Sequence, residues 1–301
     1  MMFRVSKVMN ETMFFLMFVF LIGFSDIGQS WAADKQTFLF GFGHRLEAAE
    51  EAKIYAPFLQ YLFKKTGYRF APRFVQKSES MPDLIGKGHV QFMAFGSVEY
   101  IHASERYKVI PLVRGLNSQN KAAYQAAIVT QPDSNIKTVR DIRGRTFAFG
   151  SSESTQGHLI PRIMLLKSGI TLKDLKDHTY TGSHSKAGQA VFSRRYDAGG
   201  LQDTLAKNLE KKGLVRIVAM SDFYPSSGVA ANKNVKPEIA EAVKSALLEF
   251  EPLGRDKKRL YHWERTEMPN GFVKASESDY NAIRDAMLKM GLLEKRKEYN
   301  R

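Results

Sequence analysis

Phe147-Ala148-Phe149-Gly150-Ser151-Ser152-Glu153-Ser154-Thr155-Gln156-Gly157-His158-Leu159 is the stretch from which the rest of the chain can be read. An apolar run of strand type closes on Gly150, small hydroxyl residues follow, and an apolar helical run begins at Leu159. Such a turn points unpaired backbone N–H groups and hydroxyls at one spot, where the helix dipole also favours negative charge. It is a ready anion site. The same residues also read as an ordinary strand-to-helix loop with Ser154 as a simple N-cap. Pro161 would remove a hydrogen bond deep inside a helix, so the coil at Ser154 is expected to be brief and the main helix to start after it.

Outward from this turn, strand-type runs alternate with helix-period segments. Residues 37–42 precede a helix that ends near Lys65, 69–75 precede a short helix, and 90–95 precede a helix reaching Arg106. In the first helix Ile54, Phe58, Leu59, Leu62 and Phe63 fall on one face. The rhythm resumes at 146–149, 159–166, 197–201, 204–212 and 214–220, giving two α/β blocks around mostly parallel sheets. Between the blocks, 108–113 and 124–130 read as extended runs, and the domain change falls near residue 122. A short run at 229–231 leads to a helix with Pro237 in its first turn. A last helix is capped by Ser276 toward Asp279, with Tyr280, Ile283, Met287 and Met290 inward. These last helices are expected to return to the first block without new strands.

Two further loops invite chemistry. Thr181-Gly182-Ser183-His184-Ser185 is a glycine and hydroxyl turn whose His184 is able to donate to an oxyanion from one ring nitrogen, although a lone loop histidine is more often structural. Phe95-Gly96-Ser97-Val98-Glu99-Tyr100 repeats the strand, small residue and helix-start pattern in the first block, where Ser97 and Tyr100 would face the second block. His44 and Arg45 follow the first strand and offer donors at a cleft mouth or plain surface charge.

Composition narrows the classes. The chain has 301 residues, enough for two domains of roughly 150. Apolar residues make up 44 % and charged residues 25 %, ordinary globular values that argue against disorder. With no cysteine there is no disulfide framework, thiolate metal site, cysteine nucleophile or lipid-modified N-terminal cysteine. Basic residues exceed acidic ones by 14, so an anionic partner is favoured over a cationic one. Arg4 and Lys7 precede an apolar run at 13–23, and Ser30-Trp31-Ala32 supplies a small-x-small cleavage pattern, so residues 1–32 read as a secretion signal cut after Ala32 or Ala33. Export, and basic residues scattered without a stripe, make nucleic acid a poor partner. A hydrolase triad of Ser154 or Ser183 with His184 and Asp197 is conceivable, but no Gly-x-Ser-x-Gly elbow surrounds Ser154. No metal or nucleotide motif is present, so neither a metal nor a cofactor is expected.

The run 124–129, Asp133-Ser134-Asn135-Ile136, Asp141-Ile142-Arg143-Gly144-Arg145, Ala148-Phe149-Gly150, Ser154-Thr155-Gln156-Gly157, Pro161, Gly182-Ser183-His184, Asp197-Ala198-Gly199 and Ser278-Asp279-Tyr280 resembles the periplasmic binding proteins of phosphonate, phosphite and phosphate ABC transporters. The likeness spans roughly residues 37–290. It implies an α/β chain with the two-lobed type II periplasmic binding fold, two crossover strands forming a hinge and the ligand cleft between lobes. On this reading 35–122 with 230–301 form lobe 1 and 123–229 form lobe 2. It further implies that Ser154, Thr155 and the Gln156-Gly157 backbone cradle an oxyanion, that His184 joins them, and that Ser97, Tyr100 and Ser78 complete the site.

The departures bear on the ligand. Gln156 stands where the family has a small hydroxyl residue. The region resembling the ammonium-enclosing part of aminophosphonate binders reads Tyr224-Pro225-Ser226-Ser227, without a carboxylate, and Ser78 and Phe95 stand where a tyrosine hydroxyl is usual. The resemblance therefore implies a small oxyanion without an amine: phosphate, phosphite or a simple alkylphosphonate. Its membrane partner would be an ABC permease, with a membrane sensor as the alternative.

Overall fold

The computed structural model describes residues 36–43, 48–76 and 79–293. The segment expected to be a secretion signal, His44, Arg45, Ser78 and the basic C-terminal tail lie outside these residues. β1 (Thr37–Phe42) forms where the apolar run places it. Its alternate residues Phe38, Phe40 and Phe42 share one face, and α1 (Ala48–Thr66) lays Ile54, Phe58, Leu59 and Leu62 onto it. Phe58 stacks on Trp263 with ring centroids 4.9 Å apart. Phe63, expected on the same face, is 45 % exposed. It follows Leu62 by one residue, about 100° further round the helix, beyond the edge of the buried stripe.

The first lobe continues through β2 (Arg69–Phe74), α2 (Met81–Gly86), β3 (Phe92–Phe95), α3 (Ser97–Tyr107) and β4 (Ile110–Gly115). The chain then crosses through β5 (Ala123–Tyr124) to the second lobe. That lobe comprises β6 (Ala126–Thr130), β7 (Thr146–Phe149), α4 (Ile160–Lys167), β8 (Asp177–Tyr180), α5 (His184–Phe192), β9 (Ala198–Gln202), α6 (Asp203–Lys211) and β10 (Arg216–Met220). It returns through β11 (Tyr224–Pro225) to β12 (Gly228–Ala231), α7 (Pro237–Leu248), β13 (Phe272–Lys274) and α8 (Asn281–Lys289). The first lobe is built on a six-stranded sheet of order β13-β4-β12-β3-β1-β2, and the second on a five-stranded sheet of order β10-β6-β9-β7-β8.

Two expectations need correction. The sheets are mixed: β1 runs parallel to β2 and β3, and β7 to β8 and β9, but β12 is antiparallel to β3 and β4, and β6 is antiparallel to β9 and β10. The reversed strands are β6 and β12, the first after each crossover, and β13, and apolar periodicity carries no information on direction. The last segment also adds a strand, β13, against β4. Three residues are too few to show a period of two.

The crossovers lie side by side. β5 and β11 pair antiparallel, Tyr224 opposite Tyr124. Around them Gln125 Nε2 donates to the Ser221 carbonyl at 2.6 Å and Arg114 Nη1 to the Ala122 carbonyl at 3.1 Å. The two passages between lobes are thus tied to each other, which makes them a two-stranded hinge. Among the described residues no helix is long and apolar enough to cross a membrane.

Candidate functional site

β7 ends at Phe149, and Gly150 N donates back to the Gly157 carbonyl at 2.8 Å, closing a loop over residues 151–156. Residues Thr155–Leu159 form a single π-type turn and α4 starts after it, at Ile160, with Pro161 in its first turn where the missing N–H costs nothing. Ser154 caps the turn. Its Oγ accepts the Gly157 N–H at 2.9 Å and lies 3.3 Å from His184 Nε2. His184 opens α5, and its Nδ1 accepts the Gln202 N–H at 3.2 Å. A neutral ring that accepts at Nδ1 carries its proton on Nε2, so the imidazole donates toward Ser154. With Gly157 N and His184 Nε2 both donating to its Oγ, Ser154 keeps its own O–H for a third partner.

The turn fits because two glycines let it. A Cβ on Gly157 would lie 2.9 Å from His184 Cε1 and 3.0 Å from Ser154 Oγ. A Cβ on Gly200 of β9 would press on Pro161 Cγ at 2.5 Å and on the Gly157 carbonyl at 3.1 Å. Backbone, imidazole and hydroxyl therefore converge as closely as they do only without side chains at these positions.

Thr155, nearly fully buried, reaches the other lobe: its Oγ1 accepts the N–H of Val98 in the first turn of α3 at 3.0 Å. Beside it stands Tyr124, on the crossover strand β5, whose hydroxyl is 3.3 Å from Ser97 Oγ and also hydrogen-bonds Thr155. Burial, with Glu267 nearby, pushes the Tyr124 phenol up to about 12, so it stays a neutral donor. Ser97 Oγ donates to the Pro225 carbonyl at 3.0 Å. The α3 N-terminus, the second-lobe turn and both crossovers thus meet at one point.

Of the residues singled out in the sequence, Ser154, Gly157 and His184 form one cluster, and Thr155 and Ser97 meet at its lobe-to-lobe edge. Tyr100 does not join them. Its ring packs on Phe95 and Tyr280 inside the first lobe, with centroids 4.8 and 4.5 Å apart, and its hydroxyl donates to Glu277. One turn along α3 from Ser97, the helix already faces the core. Gln156 contributes its backbone to the turn, but its buried side chain points away, Nε2 donating to the Gln125 carbonyl at 2.8 Å and to Asp203 Oδ1 at 3.3 Å. A triad does not assemble: Asp197 Oδ2 accepts from the Thr146 N–H and hydroxyl, both at 2.9 Å, while His184 Nδ1 is held by Gln202 N.

A cavity of about 80 Å³ opens between the lobes, lined by Glu51, Tyr55, Arg265 and Glu267 from the first lobe and by His184 and Gln202 from the second. It has room for a solute of a few heavy atoms. A larger hollow of about 820 Å³ lies between the C-terminal end of α3 and Leu293 and touches none of the turn residues. The gap corrects one expectation. Carboxylates do reach it, from Glu51 and Glu267. They come from α1 and the segment before β13, not from the Tyr224-Ser227 region where the sequence offered none. Nothing in the local sequence of these residues marks them for the gap.

Residues 40–280 match the family described as the periplasmic substrate-binding protein of phosphonate ABC transporters. The chain belongs to this family. The phosphate-import protein PhnD of Mycolicibacterium smegmatis is 26 % identical over 257 residues, covering 76 % of this chain and 78 % of that protein. The probable phosphite-binding protein PhnD1 of Prochlorococcus marinus is 27 % identical over 165 residues, half of this chain and 54 % of its own length. The solved structure of PhnD1 with methylphosphonate superposes with a TM-score of 0.76 at 18 % identity, covering 86 % of this chain and all of that one. The fold is the type II periplasmic binding fold. As a substrate-binding protein of this family the chain binds a small ligand and works with a membrane permease, and it is not an enzyme.

Proposed function

We propose that this protein captures a small phosphorus oxyanion, phosphate, phosphite or a simple alkylphosphonate, and delivers it to the permease of an ABC importer. One observation carries the reading. Ser154, whose O–H is left for a partner at the N-terminal end of the Thr155–Leu159 turn, lies against His184, and His184 lines an interlobe gap sized for a few heavy atoms. Donors preorganised on a turn suit an anion with several equivalent oxygens, which accepts from many directions without itself needing to donate. The relatives named for phosphate import and phosphite binding support the phosphorus chemistry.

Capture on this reading is a population shift. A ligand that touches donors of both lobes only when the cleft is closed stabilises the closed state, and the closed outer surface is what the permease reads. Ser97 is a positioning residue here: it holds the Tyr124 hydroxyl and the Pro225 carbonyl, so it ties the start of α3 to both hinge strands. An N-terminal signal cut after Ala32 or Ala33 would deliver the chain to the periplasm.

Isothermal titration of refolded, ligand-free protein with phosphate, phosphite, methylphosphonate and sulfate tests the proposal. Saturable one-to-one binding of at least one phosphorus oxyanion, tighter than sulfate, is expected. Sulfate binding tighter than all three phosphorus anions would overturn it.

A further inference from the structure

We infer that the Gln156 side chain sets the ligand class of this site by occupying Asp203, so that ligands carrying an ammonium arm are disfavoured. The inference rests on the oxyanion reading above and deepens it.

Asp203 opens α6, directly after Gln202, which lines the gap and holds His184. Its side chain is only 15 % exposed, and Glu267 of the other lobe lies near enough to act on its charge. A carboxylate withdrawn from water and facing a second carboxylate gains more than most from a neighbouring cation. Lys207 stands 3.9 Å from Oδ2, at the limit of an ion pair. Oδ1 is already engaged, by the Thr204 N–H at 2.9 Å and by Gln156 Nε2 at 3.3 Å.

Gln156 is placed to do this by its position in the turn. Its backbone belongs to the anion cradle, between Thr155 and Gly157, while its side chain runs to Asp203. The path from the cradle to the carboxylate is therefore one glutamine side chain long, the reach of a short aminoalkyl arm on a bound oxyanion. The amide N–H takes up the carboxylate oxygen that the ammonium of such an arm would need. An incoming ammonium would have to displace it from Asp203 and also from the half-buried Gln125 carbonyl at 2.8 Å, which would lose that donor. A ligand without the arm leaves this arrangement intact.

The test compares methylphosphonate with 2-aminoethylphosphonate by isothermal titration for the wild type, Gln156→Ser, Asp203→Asn and the double variant. The wild type is expected to favour methylphosphonate by about tenfold or more. Gln156→Ser should move the ratio toward the aminophosphonate by about tenfold, and adding Asp203→Asn should remove that gain. In the wild-type background Asp203→Asn should shift the ratio by less than about twofold. A Gln156→Ser ratio equal to that of the wild type overturns the inference. So does a loss of aminophosphonate binding of about tenfold in Asp203→Asn alone, since Asp203 would then already be open to the ligand. This second result does not depend on the serine variant folding. A wild type that binds neither phosphonate nor phosphate removes the oxyanion reading itself, a result distinct from an unchanged ratio.

Discussion

Replacing Gly157 by alanine perturbs the proposed cradle without deleting any of its donors. The added Cβ would stand 2.9 Å from His184 Cε1, 3.0 Å from His184 Nδ1 and 3.0 Å from Ser154 Oγ. Carbon pairs rest at about 3.5–4.0 Å, so the imidazole must retreat by roughly half an ångström. The ring is not free to do so, because Nδ1 is tied to Gln202 N and Nε2 to Ser154. One of the two contacts is lost, and with it the hold of Nε2–H on Ser154 Oγ that leaves the Ser154 O–H for the ligand. A charge-assisted hydrogen bond is worth about 1.5–3 kcal/mol, or one to two decades in affinity. Alanine also restricts the unfolded chain, a gain in stability of up to about 1 kcal/mol that offsets part of the contact strain. Titration with methylphosphonate should therefore show the loss in affinity while the thermal midpoint moves little. Affinity within about twofold of wild type in a folded variant would refute the claim that His184 and Ser154 act on the ligand together.

Other consequences follow from single sites. Ser154→Ala removes both the cap of the turn and the O–H donor, and should weaken oxyanion binding by about 10-fold or more; unchanged affinity on titration contradicts the assignment. His158 is buried, and burial pushes it down to about 4 from 6.5, with Nδ1 on the Ser152 carbonyl and Nε2 near the Tyr180 hydroxyl. The fold prefers the neutral ring, so above pH 6.5 the residue is silent. Between 6.5 and about 4 the unfolded chain binds the proton first and stability falls, in total by about 3 kcal/mol. Urea unfolding at pH 7 and pH 4.5 should show a shallower acid loss in His158→Gln than in wild type, and equal losses would contradict this. Phe58→Ala opens a hole among Trp263, Phe250 and Phe272 and should cost about 3–5 kcal/mol in chemical denaturation; a cost below about 1 kcal/mol would mean the core collapses around it.

The parts of the site legible in the sequence are those contained in one short stretch. Strand end, Gly150, Ser154 and the delayed helix announced themselves because backbone propensity and capping are local, and Pro161 even marked where α4 begins. His184 was legible as a turn histidine. Glu51 and Glu267 were not, since they reach the gap only through lobe packing, and neither was the meeting of Tyr124 with Ser97 or of Asp203 with Gln156, which sheet order and lobe packing bring about. Tyr100 shows the opposite error: one turn from Ser97 suffices to carry a side chain from the cleft edge into the core. Gln156 divides between the two cases, its backbone role readable from the turn and its side-chain target set by β5 and α6.

The most direct test of the central claim is a crystal structure of the protein with methylphosphonate bound. The account predicts the phosphonate in the interlobe gap, with oxygens within hydrogen-bond distance of Ser154 Oγ, the amides of the following turn and His184 Nε2. A phosphonate held elsewhere, with that turn facing away from the gap, would contradict it.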